Sequence, residues 1–427
     1  MTSSRAGWGD DRGRFAIILL VALALRVAWR AGSGPQAFWA EGYTFFFDLA
    51  ERLAAGQGYG LADGVPSALR VPLYPLVLAG LTGGERAFWP VLVFQALVST
   101  GTVACAALLA REWFGVRAGL VAGALCAAYP YYVIHDTSLA ETGLFTFLTA
   151  LGVLLLVRAR ATMSARGSWA IAGVAGVALG LAILTRATLA PFVPLAAAWL
   201  ALMPVSGGTR RRGMLAGAAL LAGCGLTLSP WLAYSHAVTG RAGLGTEFGA
   251  ALYAAQHRLT FSHYPDRSID RSREEVFASL DKAERAERAR LGRDEAAISD
   301  WYQRKAIAAM VAHPARTLGY GLRKLAAAFG PLPSPRKSAL GNAVHALSYG
   351  PVALLALAGA WRTRRRWREL LPLAALFAIF AAITAVLWGH TNHRSVLDVY
   401  LIVLAAPVLT ALVARWKDWP SPSDARS

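Results

Sequence analysis

Long apolar segments recur along this chain, each with almost no charge, and they constrain the fold more than any motif does. A bilayer core is crossed by about 20 apolar residues in helical form. Within hydrocarbon, only helices and closed barrels satisfy their own backbone groups. Roughly ten such segments occur, near 15–31, 88–110, 117–134, 140–158, 168–185, 187–204, 214–235, 343–361, 369–388 and 398–415. The charged fraction is 16%, against about 25% in ordinary soluble domains. With a mean hydropathy of +0.43, this excludes a disordered chain, a collagen-like fibre and a disulfide-stapled secreted domain. The expected class is all-α: a polytopic membrane protein of about ten transmembrane helices, with interfacial helices in two long outer loops.

The formal charge of +18 is first a question of which loops hold it. With the N-terminus inside, the cytoplasmic loops hold Arg111 and Arg117, then Arg158, Arg160 and Arg166, then Arg210 to Arg212, then Arg362 to Arg368, with Arg415 and Lys417 in the tail. The excess therefore sets orientation, and no nucleic-acid partner is expected. The segment 71–81, VPLYPLVLAGL, is short and carries Pro72 and Pro75, which suits a re-entrant or interfacial piece. Counting it as a span would put two of the arginine clusters outside. The stretch Phe15 to Trp29 is read as a retained span, because no small-residue cleavage site follows it. Cys105, Cys126 and Cys224 all lie in apolar runs and offer neither a disulfide framework nor a CxxC metal spacing.

Two outer segments follow, 32–87 and 236–342, dividing the chain into 1–235, 236–342 and 343–427. Leu318, Leu322, Leu325 and Phe329 form an apolar stripe beside Arg323 and Lys324, as expected of a helix lying on the membrane with its basic face toward lipid phosphate. Ionisable residues are nearly absent from span centres, Arg26 being the main exception. They gather instead at span ends and loops on one side. Transporters usually carry theirs near the midplane, so the distribution favours chemistry at the outer interface over a lipid or glycan transporter or flippase. A non-catalytic scaffold is the third reading.

Several of these residues are candidates. Glu41 and Asp48 flank Tyr43 and three phenylalanines, and in one helix over 41–55 they share a face. Either carboxylate suits a general base; both also suit the solvated edge of an interfacial aromatic helix. His135, Asp136 and Glu141 sit between two spans. There they would hold a base, a sugar hydroxyl or a metal, or else simply cap a helix through Asp136 or Thr137. Arg186 stands between two spans with almost no loop, placed to clamp a phosphate or to snorkel to headgroups. His390 and His393 are three residues apart, a weak metal signal; phosphate binding by the adjacent Arg394 is the better expectation. No metal site is assigned and no cofactor is identified from these residues, a divalent metal staying open without a motif to support it. Patterns such as GxxxxGK[ST], GxSxG and HExxH are absent from the sequence.

Several separated segments together resemble one family, the integral-membrane GT-C glycosyltransferases of the protein O-mannosyltransferase and aminoarabinose-transferase type (glycosyltransferase family 39-like). The resemblance rests on LAERLAAGQGYG after an acid, then PLYP, REWFGVRAGLVAGALCAAYP, SLAETGLFTFLTALGVLLL and GLAILTRATLAPFVP. It continues in LSPWLAYSHAVTGRAGLGTEFGAALY, RKAIAAMVAHPARTLGYGLRKLAAAF and NHRSVLDVYLIVLAA. Their order holds over roughly 15–415. The resemblance implies a polyprenyl-phosphate-linked sugar as donor and a lipid, glycan or protein acceptor on the non-cytoplasmic face, joined by an inverting displacement. It makes Glu41 the base, with Asp48 as substitute. Lys324, Arg394 and Arg186 would neutralise the lipid phosphate, and Asp136 and Glu141 would orient sugar or acceptor. Apart from the resemblance, the arginine clusters put both termini in the cytoplasm, and the Ala-, Arg- and Gly-rich composition suggests a bacterial source, hence a plasma membrane. The chain departs from the family in having Glu rather than Asp at position 41, no Arg-Asn after Trp231, and no Arg-Tyr-Arg in the final segment.

Overall fold

The computed structural model describes residues 11–61, 64–163, 167–203 and 208–417. Arg166 of the second basic cluster lies outside these residues, as do the side chains of Glu41, Arg415 and Lys417.

The N-terminal half contains α1 (Arg12–Glu41), α2 (Thr44–Ala54), α3 (Leu73–Thr82), α4 (Phe88–Phe114), α5 (Val116–Ala128), α6 (Pro130–His135), α7 (Thr142–Ala161), α8 (Ser168–Thr185), α9 (Phe192–Leu202) and α10 (Arg210–Thr239). A loop-rich region follows with α11 (Phe248–Gln256), α12 (Ile269–Ala278), α13 (Lys282–Arg290), α14 (Glu295–Ala312) and α15 (Pro314–Phe329). The chain ends in α16 (Ala339–Arg362), α17 (Trp367–Val386), α18 (Thr391–Arg394) and α19 (Asp398–Lys417). No strand occurs among the described residues; one isolated bridge joins Gly60 and Pro66.

Eight described helical stretches are long and apolar enough to cross a membrane, and they coincide with eight of the ten expected spans. The other two, expected at 117–134 and 187–204, appear as the shorter apolar helices Val116–Ala128 and Ala187–Leu202. Pro130 explains the first break. It disfavours helical backbone at Tyr129, whose φ of −66° and ψ of 112° are extended. The segment at 71–81 forms only α3, ten residues long. The protein is an integral membrane protein.

Small residues allow the closest helix contacts. Gly176 on α8 lies against the Leu220 carbonyl of α10, and Gly223 on α10 against the Gly173 carbonyl of α8, with no room for a Cβ at either position. Such close approach of backbones is a main source of helix association where lipid is as apolar as the side chains.

Charge is handled internally. Arg26 on α1 is fully buried. Its Nε donates to Ser99 Oγ of α4 at 2.7 Å, and its Nη1 to the Ala22 and Ala127 carbonyls at 3.0 and 3.1 Å. Ser99 Oγ in turn donates to Asp136 Oδ2 at 2.9 Å. At one end of the bundle the basic clusters meet: Arg158 Nε lies 3.2 Å from Glu112 Oε1, Arg366 Nη1 donates to the Trp113 carbonyl at 2.8 Å, and Arg160 Nε to the Met203 carbonyl at 3.1 Å. These arginines belong to different loops that the charge pattern had assigned to the same side.

We expect Gly223→Leu to lower stability by about 1–3 kcal/mol through overpacking against α8. Gly225→Leu, two residues on with nothing within 4 Å of its would-be Cβ, should be tolerated. Thermal unfolding of the detergent-solubilised variants reads the difference, and equal behaviour of the two would contradict this packing.

Candidate active site

At the loop-rich end the helices surround a cavity of about 620 Å³. Local structure explains how its residues arrive there. The first helix, α1, ends at Glu41, and Gly42 turns extended with φ −74° and ψ 160°. Gly42 packs against Leu139, and the Tyr43 N–H donates to the Leu139 carbonyl at 2.9 Å. This break separates Glu41 from α2, so the single helix expected over 41–55, with Glu41 and Asp48 on one face, does not form. From α2, Tyr43 at the N-cap and Phe46 line the cavity; Asp48 is exposed and outside the lining. Glu41 sits two residues before Tyr43.

The cavity wall is built around two ion-pair groups. Arg186, in the extended turn after α8, donates from Nη2 to Glu141 Oε1 at 2.5 Å and from Nε to the same oxygen at 3.2 Å. Its Nη1 donates to the Asn392 carbonyl at 3.1 Å, so one guanidinium ties the entry to α7, the exit of α8 and the short helix α18. The second group is centred on Glu247. Arg70 meets it bidentately, Nε to Oε2 at 2.6 Å and Nη2 to Oε1 at 2.7 Å, while Arg273 Nη1 approaches Oε1 at 3.3 Å. The Arg70 guanidinium also lies 5.3, 5.0 and 5.7 Å from the ring centres of Tyr43, Phe45 and Phe46. Burial alone pushes the Glu247 carboxyl up, but the charge and hydrogen bonds of Arg70, joined by those of Arg273, outweigh it and hold the group below its ordinary range. Burial likewise lowers His390, to about 3, so its imidazole is neutral. A third wall is apolar and comes from α17, through Phe380 and Ile383, and from Leu387 just past its end.

Of the residues singled out in the sequence, the structure brings Glu141, Arg186, His390 and His393 to this cavity. Asp136, Lys324 and Arg394 lie behind it, all buried. Burial pushes Asp136 up to about 7 against the pull of Arg26 and the Ser99 hydrogen bond. It follows α6 rather than capping α7, which starts at Thr142. Lys324, expected on the membrane-facing side of α15, turns inward. Its Nζ donates to the Ala255 carbonyl at 2.8 Å and the Val386 carbonyl at 3.2 Å, while Leu318 and Leu322 remain exposed and Arg323 stacks on Phe261 at 3.8 Å. Arg394 pairs with Asp398 at 2.9 Å and lies over the Tyr349 ring at 3.7 Å. No group of three or more His, Cys, Asp or Glu among the described residues is placed to hold a metal.

Sequence reasoning passed over Arg70, Glu247, Arg273 and Asp270 as site residues. Arg70 had a signal, its position just before the PLYP segment. Arg273, in the run DRSREE, looks like any solvated helix face.

Residues 72–234 match the model of the dolichyl-phosphate-mannose-protein mannosyltransferase family. Over nearly the whole chain, the fold is similar to the archaeal oligosaccharyltransferase AglB from Archaeoglobus fulgidus, solved in complex with an inhibitory peptide and a dolichol-phosphate. That match has a TM-score of 0.56 at 15% identity, over 96% of this chain and 51% of that one. The protein has the GT-C fold. The apo form of the A. fulgidus enzyme matches with a TM-score of 0.55 at 15% identity, over 96% and 52% of the two chains. The form tethered to an acceptor peptide containing the NVT sequon matches with 0.54 at 16% identity, over 94% and 50%. The GT-C resemblance carried by the separate sequence segments is thus borne out. This GT-C chain spans about half the length of the solved proteins it matches. No curated protein matches it by sequence.

The Glu247 cluster generates a pH prediction. A carboxyl held below its unfolded value stabilises the fold above that value, about 4.3 for glutamate. The contribution is lost as pH falls through the lower folded value. Glu247→Gln should remove about 1–3 kcal/mol at neutral pH by leaving Arg70 without its charged acceptor. It should also flatten the acid limb of the stability profile, as read by thermal unfolding from pH 7 down to 3. An acid limb identical to that of the wild type would refute the assignment.

Proposed function

We propose that this GT-C protein is a membrane glycosyltransferase that moves a sugar from a polyprenyl-phosphate-linked donor to a lipid, glycan or protein acceptor outside the cytoplasm. The observation that carries the reading is the two-sided chemistry of the cavity. Arginines from two ion-pair groups face it on one side, and the apolar flank of a membrane-crossing helix, α17, lines another. A lipid phosphate asks for that combination: hydrocarbon walls for the chain and guanidinium donors for the phosphate oxygens.

In this mechanism the acceptor hydroxyl or amine gives its proton to a carboxylate as its lone pair attacks the anomeric carbon. The bond from that carbon to the phosphate oxygen breaks, and the polyprenyl phosphate departs with the electron pair. Configuration inverts. Glu41 is the proposed base, standing at the end of α1 beside the cavity-lining Tyr43. Arg186 and Arg273 stabilise charge growing on the phosphate. Arg273 is suited to this, because its 3.3 and 3.4 Å contacts with Glu247 are looser than those of Arg70. Glu141 holds Arg186 in place. Asp136, Lys324 and Arg394 act as positioning residues from behind, bracing the helix ends that form the walls. The relative solved with a dolichol-phosphate supports a lipid phosphate in this fold. The basic clusters gathered at the end opposite the cavity support a plasma-membrane orientation with that end in the cytoplasm; the Ala-, Arg- and Gly-rich composition supports a bacterial source.

Glu41→Gln and Arg186→Ala should each lower sugar transfer from a purified polyprenyl-phosphate donor about 100-fold or more, while Asp48→Asn, exposed and away from the cavity, should leave it intact. Transfer at the wild-type rate in both of the first two variants would remove this site from the mechanism.

A further inference from the structure

Away from the cavity, an open groove runs between α1 and α5. Ile17 and Ile18 of α1 form one wall and Leu120, Val121 and Ala124 of α5 the other, with Arg14 as the one charged residue lining it. The helices lie side by side in the same direction. Ile18 Cγ2 is 3.3 Å from where a Cβ on Gly123 would stand, and further along both helices Arg26 donates to the Ala127 carbonyl at 3.1 Å. Each wall is headed by an arginine at the same end. Arg14 precedes Ile17 and Ile18 by three and four residues, and Arg117 precedes Leu120 and Val121 by the same steps, so each shares a helix face with its wall. That end is the one where the basic clusters gather, since α5 begins just after Trp113, whose carbonyl accepts from Arg366. Arg12, Arg14 and Arg117 are all exposed there. Asp11 meets Arg14 at 2.8 Å, but in a pair open to water, with the Arg14 side chain 76% exposed, where such contacts are worth little. Among the described residues Arg12 and Arg117 have no ion-pair partner.

We propose that this groove is a binding site for an anionic phospholipid of the leaflet at the basic end. One acyl chain lies against the aliphatic walls, and Arg14 and Arg117 hold the headgroup phosphate. The site depends on the chain lying in a membrane and not on the glycosyltransferase reading. Ile17 is 60% exposed and Leu20, about one turn deeper, 65%, so this face of α1 is turned to hydrocarbon. Apolar walls do not choose among lipids, because one acyl chain is as apolar as another. The arginines make the choice. A guanidinium gives phosphate oxygens charge-assisted hydrogen bonds, and a headgroup of net negative charge gains at both arginines, whereas a zwitterionic one brings its own cation. Basic pockets between membrane-crossing helices on the cytoplasmic side hold headgroups of the first kind. A second copy of the chain is the poorer occupant, because about a two-fold axis it would set Arg14 and Arg117 against the same arginines.

The test places the full chain in nanodiscs of phosphatidylcholine and phosphatidylglycerol, with a photoreactive group on the acyl chain of one lipid or the other, and reads labelling of the α1 and α5 peptides. The phosphatidylglycerol probe should label them about fivefold or more above the phosphatidylcholine probe at equal content. Replacing both arginines, Arg14→Gln with Arg117→Gln, should remove this excess. The pair Arg14→Lys with Arg117→Lys should keep it, because the charge remains. Ala124→Phe fills the groove while leaving the arginines in place, and should remove the excess too. All three positions are exposed, so the variants should unfold at the wild-type temperature. An excess that survives the glutamine pair would overturn the site. So would one that survives Ala124→Phe, which would assign the attraction to surface charge alone. Equal labelling by both probes in the wild type would reduce the groove to ordinary lipid contact, and labelling by neither would mean that a protein segment covers it; either result overturns the proposal.

Discussion

A polar group inside an apolar helix bundle has no water to turn to, and that constraint organises this molecule. Arg26 shows how it is met. Its guanidinium reaches across from α1 to a serine of α4 and to carbonyls at the broken end of α5, and through Ser99 to Asp136. A buried charge with fewer partners would cost several kcal/mol, so these contacts decide how the first helices sit against one another. They also brace Asp136, and so the turn from which Glu141 emerges toward the cavity. Lys324 repeats the principle through backbone carbonyls, and Arg394 in part, with Nη1 on Asp398 and the guanidinium over the Tyr349 ring.

The cavity gathers charges from distant loops. Among the described side chains that line it, three arginines, at 70, 186 and 273, face three carboxylates, at 141, 247 and 270. Arg186 is paired with Glu141, and Arg70 and Arg273 share Glu247, while Asp270 accepts from the Ser268 hydroxyl. A charge-braced frame suits catalysis by electrostatic preorganisation, in which donors are aimed before the substrate arrives. The loops, not the spans, carry this arrangement, because irregular backbone is tolerated where protein or a water-filled cavity surrounds it.

Much of this was legible in residue order. Long uncharged runs located the spans, Pro72 and Pro75 marked 71–81 as too short to be one, and the arginine clusters assigned loops to a common end where the structure finds them in contact. Arg186 and Glu141 were legible as site candidates because charge at a span boundary is rare. Other features were hidden by their locality. Nothing near Gly42 announces that α1 stops there, since the stop depends on Leu139, almost a hundred residues away. The inward turn of Lys324 depends on the carbonyl ends of α11 and α17, and the role of Arg273 on Glu247.

The sequence alone therefore determined that the chain is an all-helical membrane protein, where eight of its long apolar helices run, and the GT-C resemblance. Each of these follows from the hydrophobicity and order of residues close together in the chain. Tertiary structure alone decided which charges meet. Arg70 finds Glu247 across 177 residues, and Arg186 finds the Asn392 carbonyl across 206. Such pairings depend on how packed helices bring distant loops to one place, and no local pattern encodes that.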